Sequence, residues 1–313
     1  MDQSIALADI RDFDSQEPHR VQRFVQTIGD ALADIGFFAI KNHGIDANLI
    51  REAYKLAEAF FLLPEASKRQ YERLELQGQR AYTSFGREQA KAASLPDLKE
   101  FWHVGRVDYD PQNSCDPYGD NIWPQELPDF RTTYTELYKQ LEKCAMKVLQ
   151  ACALYLQEPI DRIAPMARNG HSILRIIHYP PVTRDTPAIR AAAHEDINLI
   201  TLLCEASDAG LELLDHDGKW RAIHALQGHI IVDAADMLQN LTNGVFKSTT
   251  HRVVNPPDKH SRRFSMPFFC HPRSECDLTP MESCLARQGG KQLYPAITAG
   301  DYLQQRLKEI GLS

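Results

Sequence analysis

Ala191-Ala192-Ala193-His194-Glu195-Asp196-Ile197-Asn198-Leu199-Ile200 is the stretch on which the reading of this chain turns. On an extended strand successive side chains alternate between faces, so His194 and Asp196, two apart, project the same way and converge on one point. A single His-x-Asp occurs by chance in many chains, where a buried histidine or a solvated aspartate is the commoner role. Its surroundings give it weight. From Ser172 to Cys270, short β-branched or apolar runs at 172–178, 197–204, 229–232, 245–254 and 263–270 alternate with turns rich in Gly, Asp, Asn and Pro. Many short strands at that spacing predict a sandwich or barrel, so the pair belongs to a mainly β core with flanking helices.

Working outward, His251 lies 55 residues beyond Asp196, inside another strand pattern, Lys247-Ser248-Thr249-Thr250-His251-Arg252-Val253-Val254. A second imidazole joining His194 and Asp196 completes a two-histidine, one-carboxylate facial triad. That set suits iron(II) and leaves coordination positions open for oxygen chemistry. His251 is preferred to His224 and His229 because of the residues beyond it. Twelve positions on, in Arg262-Arg263-Phe264-Ser265, only Arg263 and Ser265 share one strand face. A forked guanidinium and a hydroxyl on that face suit the far carboxylate of a dicarboxylic co-substrate. By strict alternation from Tyr179, Arg175 also faces the interior, where a guanidinium either pairs with an acid or binds substrate.

The remainder divides at about residue 127. Residues 1–127 read as an α/β region followed by an irregular connector. A strand-like patch at Ile5–Ile10 precedes a helical face of Val21, Phe24, Val25, Ile28, Ala31, Leu32 and Ile35, which Gly36 ends before a strand at Phe37–Ile40. His43, in Asn42-His43-Gly44, is read as a turn histidine that fixes local backbone. Residues 66–127 are polar and rich in Gln, Arg, Asp and Pro, with the aromatic insertion Phe101-Trp102-His103, and predict a loop-heavy lid or connector. Residues 128–313 then hold a long amphipathic helix from Phe130 to Leu156, a core over about 168–273, and a last helix near Thr298–Ile310 with Thr298 as N-cap.

Composition bounds the alternatives. A formal charge of -7 with no basic stripe recommends neither nucleic acid nor an anionic membrane as partner. The first residues, MDQSIALADIRDFD, lack the basic and then apolar order of a signal peptide, and no apolar run approaches the ~20 residues of a bilayer crossing. Seven cysteines, an odd number without CxxC pairs, read as reduced thiols in a cytoplasmic protein.

With these residues in place, the chain resembles the isopenicillin N synthase-like branch of the iron(II)/2-oxoglutarate dioxygenases, over almost its whole length. The resemblance is carried, in the family's order, by Gly36-Phe37-Phe38, Asn42-His43-Gly44-Ile45, Phe60-Phe61-Leu62-Leu63-Pro64, Asn121-Ile122-Trp123-Pro124 and Tyr179-Pro180-Pro181. It continues through His194-Glu195-Asp196, Gly210-Leu211-Glu212-Leu213, Asp217-Gly218-Lys219-Trp220, Thr242-Asn243-Gly244, His251-Arg252-Val253 and Arg263-Phe264-Ser265. It implies a double-stranded β-helix, or jelly roll, with Fe(II) near one open end and 2-oxoglutarate as co-substrate. A small-molecule substrate and dioxygen would be the partners, and succinate and carbon dioxide the co-products of hydroxylation, desaturation or ring closure.

By the same resemblance Tyr179 joins Arg263 and Ser265 at the co-substrate's carboxylate, while Tyr82, Phe85, Phe101 and His103 approach the mouth of the site, where they either line a substrate pocket with the inward-facing Arg175 or pin the long segment to the core. The chain departs from the family at Asp233 and Ala235, where Asn and Gly are usual, which puts local pocket shape in doubt. Glu195 departs from the common His-Thr-Asp members and looks closer to isopenicillin N synthase, which uses no 2-oxoglutarate. Two other outcomes therefore stay open: an iron(II) oxidase drawing electrons from its substrate or from ascorbate, and a non-catalytic jelly-roll binding protein.

Overall fold

The structure is a computed structural model and describes residues 5–76, 78–88, 95–107, 119–181, 189–204, 206–207, 209–223, 228–255 and 261–309. Its strands are β1 (Ala6–Asp9), β2 (Phe37–Lys41), β3 (Ala81–Thr83), β4 (Glu100–Gly105), β5 (Ile173–Tyr179), β6 (Ala191–His194), β7 (Ile200–Cys204), β8 (Leu211–Leu214), β9 (Trp220–Ala222), β10 (Ile230–Ala234), β11 (His251–Val253) and β12 (Arg263–Cys270). They form an eight-stranded sheet, ordered β1-β2-β10-β7-β12-β5-β4-β3, and a four-stranded sheet, β6-β11-β8-β9. The two sheets make a sandwich of the kind the strand spacing predicted, in the jelly-roll form that the resemblance implied.

Alternation assigns the two faces of the large sheet. On β12, Phe264, Met266, Phe268 and Cys270 join the larger apolar core, which the helix Phe130–Tyr155 covers. Tyr138 of that helix meets Phe268 edge to face, 5.0 Å between ring centres. The other face of the sheet turns Phe37, Phe101, Ile177, Tyr179 and Ile231 toward Leu211, Leu213 and Val253 of the small sheet. Polar residues of the site share this inner face because they hold alternate positions on the same strands.

Three local expectations are corrected. Residues 66–127 are not loop throughout: β3 and β4 extend the large sheet, and Phe101-Trp102-His103 is the middle of β4, paired with Ile177-Ile176-Arg175 of β5. The polar pair Lys99-Glu100 hid the strand from a reading based on apolar alternation. Both are buried by pairing with opposite charges, Lys99 with Glu88 and Asp97, and Glu100 with Lys68. Second, β6 stops at His194, so Asp196 lies beyond the strand and does not reach the site by strand alternation. Third, only His251–Val253 of the run 245–254 is strand.

The approach to β11 depends on Gly36. Its φ of +74° is left-handed, and a Cβ there would come within 2.3 Å of the Lys247 carbonyl oxygen. Around that close approach Lys247 N–H donates to Leu32 O (2.9 Å), and Thr249 Oγ1 donates to Ile35 O (2.8 Å). The end of the first long helix, Pro18–Asp34, thus holds the segment that delivers His251. Among the described residues no helix is long and apolar enough to cross a membrane. The six described cysteines are buried and free, and Cys115 lies outside the described residues.

Candidate metal centre and active site

β6 and β11 pair antiparallel with His194 opposite His251, which brings two imidazoles from distant segments side by side, ring centres 4.5 Å apart. Asp196 reaches them from the turn after β6. That turn is fixed by backbone bonds from Asp236 N–H to Asp196 O (2.9 Å) and from Met237 N–H to Asn198 O (3.1 Å). Asp196 Oδ1 lies 3.8 Å from Nε2 of each histidine, and one donor atom from each of the three residues falls within 4.8 Å of the others.

The outer partners of these side chains favour metal binding. His194 Nδ1 is 2.7 Å from Ala192 O, and His251 Nδ1 is 3.1 Å from Thr249 O. A backbone carbonyl is met by a protonated Nδ1, which leaves each Nε2 as a lone pair facing Asp196. Thr201 Oγ1 donates to Asp196 Oδ2 (2.5 Å) and leaves Oδ1 toward the histidines. Burial, and then the neighbouring His251, lower the His194 pKa to about 4 against the pull of Asp196, so this imidazole is neutral at pH 7. Two imidazoles and one carboxylate, converging without a fourth His, Cys or carboxylate ligand among the described residues, fit a ferrous ion.

Behind the three donors lies a chamber of about 70 Å³ between the sheets. Its walls follow the alternation: Arg263, Ser265, Pro267 and Phe269 from β12, then Arg175, Ile177 and Tyr179 from β5. Arg263 is opposite Tyr179 in register, lies 5.1 Å over its ring, and donates from Nη1 to Ser265 Oγ (3.1 Å). Arg263 is 2 % exposed and Ser265 likewise, so a buried cation and a hydroxyl share the chamber with the three donors. The sequence-derived trio of Arg263, Ser265 and Tyr179 is therefore together in space.

In front of the donors a wider cavity of about 700 Å³ shares Lys99, Arg175, His194, Asp196 and Phe269 with the chamber. Arg175 pairs with Glu88 (3.1 Å) and lines both spaces. His103 lines the wider one, while Phe101 stands one layer back, its ring 4.3 Å from the Arg175 guanidinium. Tyr82 and Phe85 line neither. The Tyr82 hydroxyl is buried on the opposite face of the sheet against Glu100 (2.5 Å), and half-exposed Phe85 flanks His178 there. They share the segment of His103 but not its face. His43 accepts from Ile45 N–H (3.1 Å) within its own turn, and His224 lies outside the described residues.

Several wall residues, Asp233 apart, were not singled out from the sequence. Phe269 and Ile177 follow from alternation once Arg263 and Tyr179 are placed. Thr201, Asp233 and Phe37 form one row across β7, β10 and β2 and all face the chamber. Burial, and then Asp196, push the Asp233 carboxyl well above the usual carboxylate range. Glu88, Asp97, Lys99, His271 and Arg306 come from segments whose approach no local pattern reveals. Glu195 does not enter the chamber; it accepts a hydrogen bond from Thr250 and lines the wider cavity.

Comparison with known proteins agrees with this geometry. Residues 5–126 match the family described as non-haem dioxygenase in morphine synthesis, N-terminal, and residues 170–272 match the 2OG-Fe(II) oxygenase superfamily. A proline hydroxylase, buaE, of Petromyces alliaceus is 31% identical over 96% of this chain and 97% of its own. A solved 2OG-Fe(II) oxygenase family protein from Caulobacter crescentus is 39% identical, with TM-score 0.86 over 97% of this chain and 98% of that one. A full-length Neurospora crassa protein, solved in complex with alpha-KG, superposes with TM-score 0.87 at 28% identity, covering 97% and 96% of the two chains. A second structure of that protein holds thymine as well.

Proposed function

The chain belongs to the 2OG-Fe(II) oxygenase superfamily, and on that premise we propose that His194, Asp196 and His251 hold the iron and that Arg263, Ser265 and Tyr179 receive the far carboxylate of 2-oxoglutarate. The protein is a non-haem iron(II), 2-oxoglutarate-dependent dioxygenase that oxidises a small molecule. The observation that carries the residue assignment is the single chamber with three convergent donors in its wall and a buried Arg263 beside Ser265.

Iron(II) with 2-oxoglutarate and dioxygen supplies the power to oxidise an unactivated carbon, giving succinate and carbon dioxide as co-products. The protein's own residues bind, orient and exclude water. Ala192 O and Thr249 O keep both imidazoles in the ligating tautomer, and Thr201 aims the carboxylate. Arg263 and Ser265 offer donors to a carboxylate in a space too small for bulk water, where charge-assisted hydrogen bonds are strongest. The two negative charges of the co-substrate and that of Asp196 balance the ferrous ion and Arg263, which favours burial of the whole set.

Within the superfamily we place the chain in the isopenicillin N synthase-like branch, on its ordered N-terminal and core motifs. Glu195 does not argue for the co-substrate-free chemistry of isopenicillin N synthase itself, because it faces Thr250 and not the chamber. The test is direct. Anaerobically purified protein given iron(II), 2-oxoglutarate and oxygen should release succinate slowly without a prime substrate and faster with one. Absence of succinate across a broad substrate panel, with no measurable 2-oxoglutarate binding, would overturn the reading.

A further inference from the structure

His194 sits on a strand that its own sheet holds from one side. β6 is an edge of the four-stranded sheet, paired with β11 and with no strand beyond it among the described residues. That pairing is itself interrupted. His251 stands opposite His194 and Val253 opposite Ala191, so Ala192 and Ala193 together face Arg252 alone. Two residues against one make a β-bulge, where the ladder is locally broken. The break falls on Ala192, whose carbonyl lies 2.7 Å from His194 Nδ1 and so fixes the tautomer and the direction of the ring.

What holds Ala192 comes from the N-terminal region. Ala192 N–H donates to Asp97 Oδ1 (3.0 Å), and beside it Leu98 N–H donates to Ile189 O (3.1 Å), so the segment 95–99 closes the open edge at the start of β6. A side-chain carboxylate stands where a neighbouring strand would offer a carbonyl, and as an ion it is the stronger acceptor. Asp97 is firmly held in turn: it is 5 % exposed, its N–H donates to Glu88 O (3.1 Å), and its Oδ2 accepts from Lys99 Nζ (2.8 Å). It is outside the group of three metal donors, yet one hydrogen bond joins it to the residue that orients the first of them.

We propose, resting on the oxygenase reading above, that Asp97 is a positioning residue for His194: its carboxylate pins Ala192 at the bulge, which keeps Ala192 O on Nδ1 and the lone pair of Nε2 directed at the metal position beside Asp196 and His251. Loss of the acceptor leaves the Ala192 N–H unpaired, and backbone that turns to find another partner carries the carbonyl with it. Asp97→Ala loses the acceptor, whereas Asp97→Asn keeps an oxygen for Ala192 N–H and loses only the charge that faces Lys99. The comparison separates a role through Ala192 from a role through the Lys99 ion pair.

The test is anaerobic equilibrium titration of the full chain with iron(II), and in parallel with cobalt(II), whose visible absorption reports ligand geometry, at a temperature where circular dichroism shows each metal-free protein folded. Removing an outer partner of a metal ligand costs about ten- to hundred-fold in metal affinity, and Asp97, one hydrogen bond further out, belongs at the low end. Asp97→Ala should therefore bind iron(II) about ten-fold more weakly, with an altered cobalt(II) spectrum, while Asp97→Asn should stay within about three-fold of the natural protein and keep its spectrum. Asp97→Ala within about three-fold of the natural protein, with an unchanged spectrum, overturns the proposal. So does Asp97→Asn as weak as Asp97→Ala, because the lost charge and not the lost acceptor is then responsible. If Asp97→Ala does not fold, Asp97→Leu, which fills the space without an acceptor, takes its place under the same criteria. Natural protein that binds neither metal removes the oxygenase assignment instead, and the role of Asp97 with it.

Discussion

Replacing Arg263 by Ala puts the co-substrate assignment under the most quantitative strain. The guanidinium is 2 % exposed, opposite Tyr179 in the sheet, and shares its chamber with the three metal donors without being one of them. A bound dicarboxylate would pair its far end with this buried cation. Removing one partner of a buried ion pair costs ~3–5 kcal/mol, because the other is left uncompensated. At ~1.4 kcal/mol per decade this is a loss of about two to three and a half orders of magnitude in 2-oxoglutarate affinity. Arg263→Lys keeps the charge but loses the fork and should fall between Arg263→Ala and the natural protein. Ser265→Ala removes one donor to a charged group, worth ~1.5–3 kcal/mol.

The assay is anaerobic calorimetric titration of iron-loaded protein with 2-oxoglutarate, alongside iron titration in its absence. Iron affinity should be nearly unchanged in all three variants, since none alters a donor or its hydrogen-bond partners. A 2-oxoglutarate affinity within about three-fold of the natural protein after Arg263→Ala would refute the anchor, because a lost buried pair cannot cost so little.

Four further outcomes are expected. Thr201→Val deletes the hydrogen bond that aims Asp196 and should weaken iron binding by about ten- to hundred-fold, read by equilibrium metal titration, while His194→Ala or Asp196→Ala should abolish both metal binding and turnover. His271 is buried and its pKa falls to about 3, chiefly through burial, with His171 adding to the fall, against an ordinary 6.5. The unfolded chain therefore binds the proton first as pH drops, so the stability this neutral ring contributes is complete above pH 6.5 and is lost as pH falls toward 3; denaturation at stepped pH should show a shallower fall in His271→Asn. Glu100→Ala leaves the Lys68 ammonium, 6 % exposed in its side chain, without its 2.6 Å partner and should cost ~3–5 kcal/mol in urea unfolding, much of it recovered in the Lys68→Met/Glu100→Leu double variant.

How far the sequence reaches can be followed residue by residue. Arg263 and Ser265 were legible because a two-residue spacing on a regular strand is a geometric statement, and β12 is regular throughout those positions. The same rule placed Arg175 inside. It failed for Asp196, which lies past the end of β6; Tyr82 was placed near the site by the resemblance alone, and sharing a segment with His103 said nothing about sharing a face. β4 escaped notice because its first residue, Glu100, is buried against Lys68, distant in sequence, and Lys99 just before it is buried against Glu88 and Asp97, a circumstance that apolar periodicity does not register.

By itself the sequence determined the period-two alternation of the core strands, the capping and helix-ending residues, and the types of donor available: imidazole, carboxylate, guanidinium and hydroxyl. Those are local consequences of backbone geometry and side-chain chemistry. Only the tertiary structure decided which histidine meets which, because the pairing of β6 with β11 joins segments far apart in the chain, and which charges cancel across the wider cavity. Glu88 against Arg175 and Lys99 is the clearest case. Their complementarity exists only after three separate segments have been brought together, and that contact is made by packing of the whole sheet and not by any pattern along the chain.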